Sequence, residues 1–192
     1  MLNHDEELKQ ALLAQSGNKE AFAYLYNIYI KKIYSFIYFK TLHQNIAEDL
    51  TSQVFLKALK NINKFKNDNF SAWLYTIARN TVIDHYRSHK DIKNIEDCWD
   101  LASDNNLIED VDNNLKISLI REAMKELPSA DRELLIMRLW LDLPFKEIAV
   151  ILDKSDSAVK MSFSRILDRL KKKMPAALFL LISLSIICKK LN

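Results

Sequence analysis

Glycine is almost absent from this sequence, and its absence excludes several classes of enzyme. The chain of 192 residues contains one glycine, Gly17, and three prolines. Phosphate-binding P-loops and dinucleotide-binding fingerprints both require several glycines, because their backbones adopt positive φ and approach the ligand closely. The scarcity of proline and the lack of sustained alternation between apolar and polar residues predict an almost wholly helical protein.

Cysteine and histidine form no pattern typical of a disulfide or a metal site. Cys98 and Cys188 lie far apart, as expected of two reduced thiols in a cytosolic protein. His85 and His89 are four residues apart on a predicted helix, but the intervening residues lack the glutamate of a zinc protease. We interpret the pair as basic helix surface and predict neither a metal nor another cofactor. The acidic residues have no nucleophile partner, so we predict that the protein is not an enzyme.

The distribution of charge divides the chain. A formal net charge of +3 does not by itself predict nucleic-acid binding. Basic residues cluster in 87–90 and 165–173, whereas residues 93–114 are rich in Asp, Glu and Asn. This acidic stretch has too little apolar surface to fold alone, which indicates a flexible linker. We therefore predict a domain at 1–92, a linker at 93–114, a second domain at 115–174 and a tail at 175–192.

Residues 70–87 form the most informative segment, a continuous helical pattern. Its predicted apolar stripe consists of Leu74, Ile77, Ala78 and Thr81. The remaining face combines arginines, aromatic rings and an amide at Trp73, Arg79, Asn80, Asp84, Tyr86 and Arg87. Arginines neutralise phosphates, rings stack on unpaired bases and amides read base edges, so this face suits single-stranded DNA. Taken alone, the side of an ordinary solvated helix would be the better interpretation.

Residues 127–174 read as a helix-turn-helix. A short amphipathic helix is predicted from the spacing of Phe145, Ile148, Ala149 and Leu152, with Pro144 near its start. That helix is expected to stop at residues 153–154, where either Ser155 or Asp156 can cap the next one.

The second helix of this motif is predicted to bury one stripe and to present another to DNA. The buried residues are expected to be Val159, Phe163, Ile166, Leu167 and Leu170. The outward residues are Ser157, Lys160, Met161, Ser164 and Arg165. In a helix-turn-helix the second helix enters the major groove. A generic two-helix packing unit is the alternative, and the small polar and basic residues at the front of the helix argue against it.

Five blocks of the chain, in this order, resemble the sigma-70 family of bacterial transcription initiation factors, and most of all its extracytoplasmic-function (ECF) group. The blocks are residues 21–37, 47–59, 70–87, 127–139 and 145–170. The resemblance implies an all-α protein in which two small helical domains, a region 2 bundle and a region 4 helix-turn-helix, are joined by the acidic linker. It also implies binding to core RNA polymerase, through the β′ clamp helices and the β flap, and to promoter DNA.

The resemblance also implies roles for particular residues. Docking on the β′ clamp helices is expected of Asp49, Gln53 and Lys57, although the family usually has Gln in place of Ser52 and an acidic residue in place of Gln53. Recognition and melting of the −10 element are expected of Lys64, Asn67, Asn69, Trp73, Arg79, Asn80, Asp84 and Arg87. Recognition of the −35 element is expected of Ser157, Lys160, Met161, Ser164 and Arg165. In the family the linker enters the nucleic-acid channels of the polymerase. For the linker of this chain, a passive spacer is an equally good interpretation.

The apolar tail is not explained by the resemblance. Residues 176–188 are continuously apolar or small, and thirteen helical residues span about 20 Å, short of the roughly 30 Å bilayer core. The tail helix is predicted to insert shallowly at a membrane, to pack on the second domain or a partner helix, or to act as a short anchor, and packing or partner binding is slightly favoured. We expect a cytoplasmic protein, with membrane association through residues 176–188 left open.

The main alternative is a stand-alone helix-turn-helix regulator that binds duplex DNA without polymerase. It would explain residues 127–174 and leave residues 47–87 unused. Such regulators usually bind paired half-sites as dimers, whereas sigma factors bind promoters as monomers. A membrane-anchored interaction protein is a third hypothesis. The sequence identifies no promoter, inducing signal or anti-sigma partner, although ECF factors are commonly held inactive by one.

Overall fold

The computed structural model describes residues 4–41, 43–66, 69–88 and 127–173. The first module consists of four helices and a 3₁₀ turn: α1 (His4–Gln15), α2 (Lys19–Thr41), α3 (Gln44–Asn61), the turn Ile62–Lys64 and α4 (Phe70–Ser88). The second module consists of α5 (Ser129–Leu135), a π-helical turn (Ile136–Trp140), α6 (Phe145–Leu152) and α7 (Asp156–Lys173). Every regular element in these ranges is helical, which confirms the all-α prediction. The linker, the tail and the domain boundaries predicted from the sequence lie outside the described residues.

The single glycine lies where the backbone requires it. Gly17 ends α1 at a φ of +95°, a value that L side chains rarely adopt. Its N–H donates to the Ala14 carbonyl at 3.0 Å, and the next N–H, that of Asn18, donates to the Leu13 carbonyl at 3.0 Å. The Asn18 side chain then accepts the Ala21 N–H at 3.0 Å and caps α2. One glycine and one asparagine therefore reverse the chain between α1 and α2.

The core of the first module follows most of the predicted apolar stripes. Those on α2 and α3 are buried at Leu25, Tyr29, Ile33, Ile37, Ala47, Leu50, Val54 and Ala58. The spacing of the apolar residues on α2 predicts one core stripe of Phe22, Leu25, Tyr26, Tyr29, Ile33 and Ile37, but Phe22 is half-buried and Tyr26 is 40% exposed. It lies one position from Leu25, at the edge of the stripe, where its ring packs edge-on against Phe55 with centroids 4.7 Å apart. An aromatic ring at such an edge can bury one side and keep its hydroxyl in water.

The helix-turn-helix of the second module forms largely as predicted. Pro144 precedes α6, and Asp153 ends it in the left-handed region at φ 53°. Of the two candidate caps for α7, the structure selects Ser155, whose Oγ accepts the Ala158 N–H at 3.2 Å. Along α7 the predicted core residues Val159, Phe163, Ile166 and Leu170 are buried, while Leu167 is half-buried.

The two modules pack on each other, which the sequence did not predict. Helix α6 lies against α4, and the π-helical turn lies against α2, where Phe39 and Trp140 are 5.5 Å apart between ring centroids. Six of the eight residues of α6 are apolar. A helix with so much apolar surface can contact its own module on one side and a second module on the other.

Candidate nucleic-acid interface

Two side chains hold the N-terminus of α4, the helix predicted to meet the −10 element. The Asn69 Oδ1 accepts the Ala72 N–H at 2.7 Å. The Glu7 carboxylate, buried on α1, accepts the Ser71 N–H at 3.0 Å. The first amides of a helix have no partner within it, and the positive end of its dipole favours a carboxylate there. These contacts fix where α4 begins.

The loop before α4 is held by a third side chain. The Gln15 amide nitrogen at the end of α1 lies within hydrogen-bond distance of three carbonyl oxygens, those of Ile62 at 3.3 Å, Asn63 at 3.2 Å and Phe65 at 2.8 Å. This loop includes Lys64, which is exposed as a DNA contact would need. Asn67, predicted to act beside it, lies outside the described residues.

Replacing Asn69 separates its structural role from its predicted role at DNA. We expect Asn69→Ala to reduce stability by about 1 kcal/mol, because the capping oxygen is lost. Asn69→Asp keeps a capping oxygen and removes the amide donor, so stability should stay close to wild type. Urea unfolding of both variants measures the cap. If Asn69→Asp loses −10-dependent activity, residue 69 lies close to DNA, because the variant both lacks the amide donor and adds a charge that repels phosphates. Equal stability of Asn69→Ala and wild type would contradict the capping role.

The outer face of α4 presents only part of the set predicted for the −10 element. Asn80, Asp84 and Arg87 are exposed. Trp73 is half-buried, and the centroid of its ring lies 5.5 Å from the ring centroids of Phe65 and Phe70. Its role at DNA stays a prediction.

The placement of Tyr86 on that outer face was wrong. Tyr86 is buried, and its hydroxyl donates to the Lys40 carbonyl at 3.4 Å. Together with Tyr75 and Val82 it lies on a second buried stripe of α4. This stripe exists because α4 is covered by helices on more than one side, as α2, α3 and α6 all pack against it.

Arg79, also predicted to contact the −10 element, is engaged with the second module. Its Nε lies 3.2 Å from one Glu133 oxygen and 3.4 Å from the other, and its side chain is 31% exposed. The same carboxylate accepts a hydrogen bond from the Lys40 ammonium at 2.5 Å, where both side chains are only 8% exposed. Burial lowers the pKa of Lys40, and the adjacent Glu133 charge opposes that shift. We call Lys40, Arg79 and Glu133 the ion cluster.

Two buried oxygens lie near the same contact between the modules. The Tyr75 hydroxyl on α4 and one Glu147 carboxylate oxygen on α6 have no hydrogen-bond partner among the described residues. Burial raises the pKa of the Tyr75 phenol, and the negative charge of Glu147 raises it further. Buried polar atoms without partners cost about 1–3 kcal/mol each, so the inter-module contact carries a penalty beside its ion cluster.

The face of α3 predicted to dock on polymerase is exposed at Asp49 and Gln53. The third member, Lys57, instead reaches α4, where its ammonium donates to the Thr81 hydroxyl at 3.1 Å and lies 4.0 Å from the Asp84 carboxylate. Residues predicted for two different sites are thus neighbours. The docking role of all three stays a prediction.

Two residues of the α3 face were missed by the sequence analysis. Leu56 and Leu59 are 57% and 52% exposed, and Leu56 follows Gln53 by three residues on the same face. Exposed leucines side by side on one helix are typical of an interaction surface. The signal was present, because both leucines fall outside the buried stripe formed by Ala47, Leu50, Val54 and Ala58.

The predicted reading face of α7 is exposed in full. All five of its residues face solvent: Ser157, Lys160, Met161, Ser164 and Arg165. Lys160 pairs with Asp156 one turn earlier at 2.5 Å. The geometry suits entry of this helix into a major groove, and the contacts with bases remain predictions.

The part of the chain that the structure describes contains neither a membrane-spanning helix nor a metal site. Within it, no helix combines the length and the apolar character needed to span a bilayer. The same residues contain no group of three or more histidine, cysteine or acidic side chains placed to bind a metal ion. The tail at 175–192 and His89 lie outside the described residues.

Comparison with known proteins gives matches over both modules. The family model Sigma-70 region 2 matches residues 25–92, and Sigma-70, region 4 matches residues 117–170. The ECF RNA polymerase sigma factor BldN of Streptomyces coelicolor is 32% identical over 169 residues, which are 84% of this chain and 63% of BldN. The ECF RNA polymerase sigma factor SigW of Bacillus subtilis is 30% identical over 178 residues, 86% of this chain and 95% of SigW.

A solved structure shares the fold. It is the co-crystal structure of the sigma factor RpoE in complex with the anti-sigma factor NepR from Bartonella quintana, with a TM-score of 0.60 and 21% identity over 79% of this chain and 94% of the matched chain. Because models for both sigma-70 regions match in order and SigW is 30% identical over nearly its whole length, the chain belongs to the extracytoplasmic-function group of the sigma-70 family of RNA polymerase sigma factors.

Proposed function

We propose that the two modules divide the promoter between them while α3 docks on core RNA polymerase. The loop of residues 62–69 and α4 meet the −10 element as separated strands, and α7 reads the −35 element as duplex. Directing promoter-specific initiation through RNA polymerase is the activity of the family to which the chain belongs. The observation that best supports the proposal is that the exposed face of α7 and the exposed polar residues of α4 lie within the two matched regions.

Melting of the −10 element needs no nucleotide hydrolysis in this proposal. Each unstacked base step costs a few kcal/mol, and stacking a captured base on a side chain returns about 1–3 kcal/mol. Lys64 and Arg87 are exposed and can neutralise phosphates of the separated strands. Captured bases and phosphate contacts therefore offset the cost of melting, and the protein acts as a binding factor rather than as a catalyst.

A regulatory partner and the cytoplasm as the place of action are part of the proposal. The RpoE structure contains an anti-sigma factor, NepR. A partner of this class would suit a factor whose α4 and α7 surfaces must be covered to prevent initiation. A protein that meets both RNA polymerase and chromosomal DNA works in the cytoplasm of a bacterium.

Run-off transcription tests the proposal most directly. Core RNA polymerase from the source organism is incubated with fragmented genomic DNA, with and without the purified protein. We expect specific transcripts that appear only with the protein, and their start points will give both promoter elements. No transcripts and no binding to core polymerase would contradict the proposal and favour the stand-alone regulator, which explains α7 but leaves the exposed leucines of α3 without a role.

Replacing Arg165 tests the duplex contact of α7. We expect Arg165→Ala to lower −35-dependent initiation by about tenfold or more, because a well-placed arginine contact to a base contributes about 1–3 kcal/mol. Binding to core polymerase should be unchanged. Lys172→Ala is the matched control, since it removes one exposed positive charge two turns later on the same helix. Unchanged initiation by Arg165→Ala, or an equal loss in both variants, would contradict the assignment.

A further inference from the structure

The second module lies on the helix that is proposed to meet the −10 element. Helix α6 packs on α4, and the Glu133 carboxylate of α5 pairs with Nε of Arg79 on α4. We propose that this closed arrangement is autoinhibited: Glu133 takes the place of a DNA phosphate, and the modules must separate before α4 can hold melted DNA. The inference rests on the proposed role of α4 and adds how α4 is kept from binding the −10 element.

The ion cluster has the geometry of a phosphate mimic. One carboxylate lies between a lysine and an arginine, at 2.5 Å from the Lys40 ammonium and 3.2 Å from Arg79 Nε. A phosphate of DNA carries the same charge and offers the same kind of acceptor oxygens to Arg79. A phosphate that approaches Arg79 would meet the like charge of the Glu133 carboxylate, so DNA and Glu133 compete for the guanidinium.

The charges of the ion cluster are compatible with the closed arrangement only while they are paired. Lys40 and Glu133 are nearly inaccessible to water while the modules touch, and each is tolerated there only because the other is present. When the modules separate, each of these side chains regains water. Removing the Glu133 charge therefore leaves the Lys40 ammonium buried without a counter-ion in the closed arrangement, with little penalty in the open one.

Other features of the interface favour separation. The Tyr75 hydroxyl and one Glu147 oxygen are buried without partners among the described residues. A cavity of about 140 Å³ lies beside the ion cluster, lined by Phe39, Arg132 and Ile136 among others. Unfilled space and unpaired polar atoms both weaken a contact, so the interface is suited to opening.

The contact covers α4 selectively. In the closed arrangement the five outward residues of α7 remain exposed, whereas Arg79 is engaged and Tyr75 is fully buried. The closed arrangement therefore blocks contact between α4 and the −10 element, and it leaves the outward face of α7 accessible to duplex DNA.

Distances between two spin labels test the closed arrangement in the full chain. Labels are placed at the exposed positions 31 and 168 through Lys31→Cys and Asp168→Cys, with Cys98→Ser and Cys188→Ser to remove the native thiols. We expect Glu133→Gln to raise the ratio of open to closed protein at least about tenfold, seen as a longer and broader distance distribution. The same variant should bind a single-stranded oligonucleotide carrying the −10 sequence about tenfold more tightly, since release of Arg79 follows that ratio.

Two further variants keep the test specific. Asp131→Asn is the matched control, because Asp131 lies on the same helix and pairs with Arg169 of its own module at 2.7 Å. It should change neither distances nor oligonucleotide binding. The double variant Lys40→Met with Glu133→Leu replaces the buried pair by apolar contact and should restore short distances. A general loss of packing would not be rescued in this way.

The outcomes distinguish this inference from the proposed function. Unchanged distances in Glu133→Gln, or an equal change in Asp131→Asn, would overturn the closed arrangement even if the wild type supports transcription. Longer distances without tighter binding of the oligonucleotide would show that the contact is not inhibitory. Longer distances in a protein that supports no transcription would overturn the proposed function, and with it the inhibition, while the contact itself would be established.

Discussion

Replacing Leu56 by arginine is expected to weaken binding to core RNA polymerase by about 100-fold, because losing a hot-spot contact of an interface costs about 2 kcal/mol or more. Leu56 is 57% exposed on α3, beside Gln53 and Leu59. An arginine there would bury a positive charge in an apolar contact that provides no counter-ion, which is unfavourable. Titration of fluorescently labelled core polymerase with the variant measures the effect.

Leu12→Arg is the control for this prediction. Leu12 is 52% exposed on α1, so the substitution has the same chemistry on another surface of the same module. Both variants should unfold at wild-type urea concentrations, since neither leucine is in the core. An equal loss of polymerase binding in the two variants would indicate nonspecific damage, and no loss in Leu56→Arg would place the docking surface elsewhere.

Replacing Glu7 by alanine is expected to lower the free energy of unfolding by about 3 kcal/mol, since two buried donors lose their acceptor. One donor is the Ser71 N–H at the start of α4, 3.0 Å from the carboxylate. The other is the Tyr29 hydroxyl; burial raises the pKa of that phenol, and the charge and hydrogen bonding of Glu7 raise it further. Calorimetry should show a midpoint lower by about 10 °C for a chain of this size.

Two variants place limits on that expectation. Glu7→Gln keeps one acceptor oxygen and should lose less stability than Glu7→Ala. Glu6→Ala removes a partly exposed neighbour whose ion pair with Lys9 spans 3.7 Å, and it should change stability by less than about 0.5 kcal/mol. A loss below 1 kcal/mol in Glu7→Ala would contradict the capping of α4 by Glu7.

The parts of the fold that sequence could predict are those set by periodicity within one helix. Helix α7 has one buried stripe, so its outward residues, from Ser157 to Arg165, follow directly from a repeat of 3.6 residues. Helix α4 has two buried stripes, and the same reasoning therefore placed Tyr86 on the wrong face. A helix packed on several sides leaves too little contrast between its faces for periodicity to resolve.

The contacts between distant segments could not be predicted. Lys40 and Glu133 are 93 residues apart, and Glu7 and Ser71 are 64 apart. A single sequence contains no local signal for such pairs, because their proximity is decided by how whole helices pack. The residues that fix α4 were for this reason absent from the predicted site, although the family resemblance had identified the helix itself.

Burial of the Lys40–Glu133 pair also determines how the protein should respond to ionic strength. Mobile ions screen exposed charges strongly and buried pairs much less. Contacts with DNA phosphates weaken steadily as the salt concentration rises, because the counterions they release are then less dilute. Arg79 can pair either with a DNA phosphate, a contact that salt weakens, or with the buried Glu133 carboxylate, a contact that salt affects much less. At a fixed DNA concentration, added potassium chloride should return the protein to the closed arrangement.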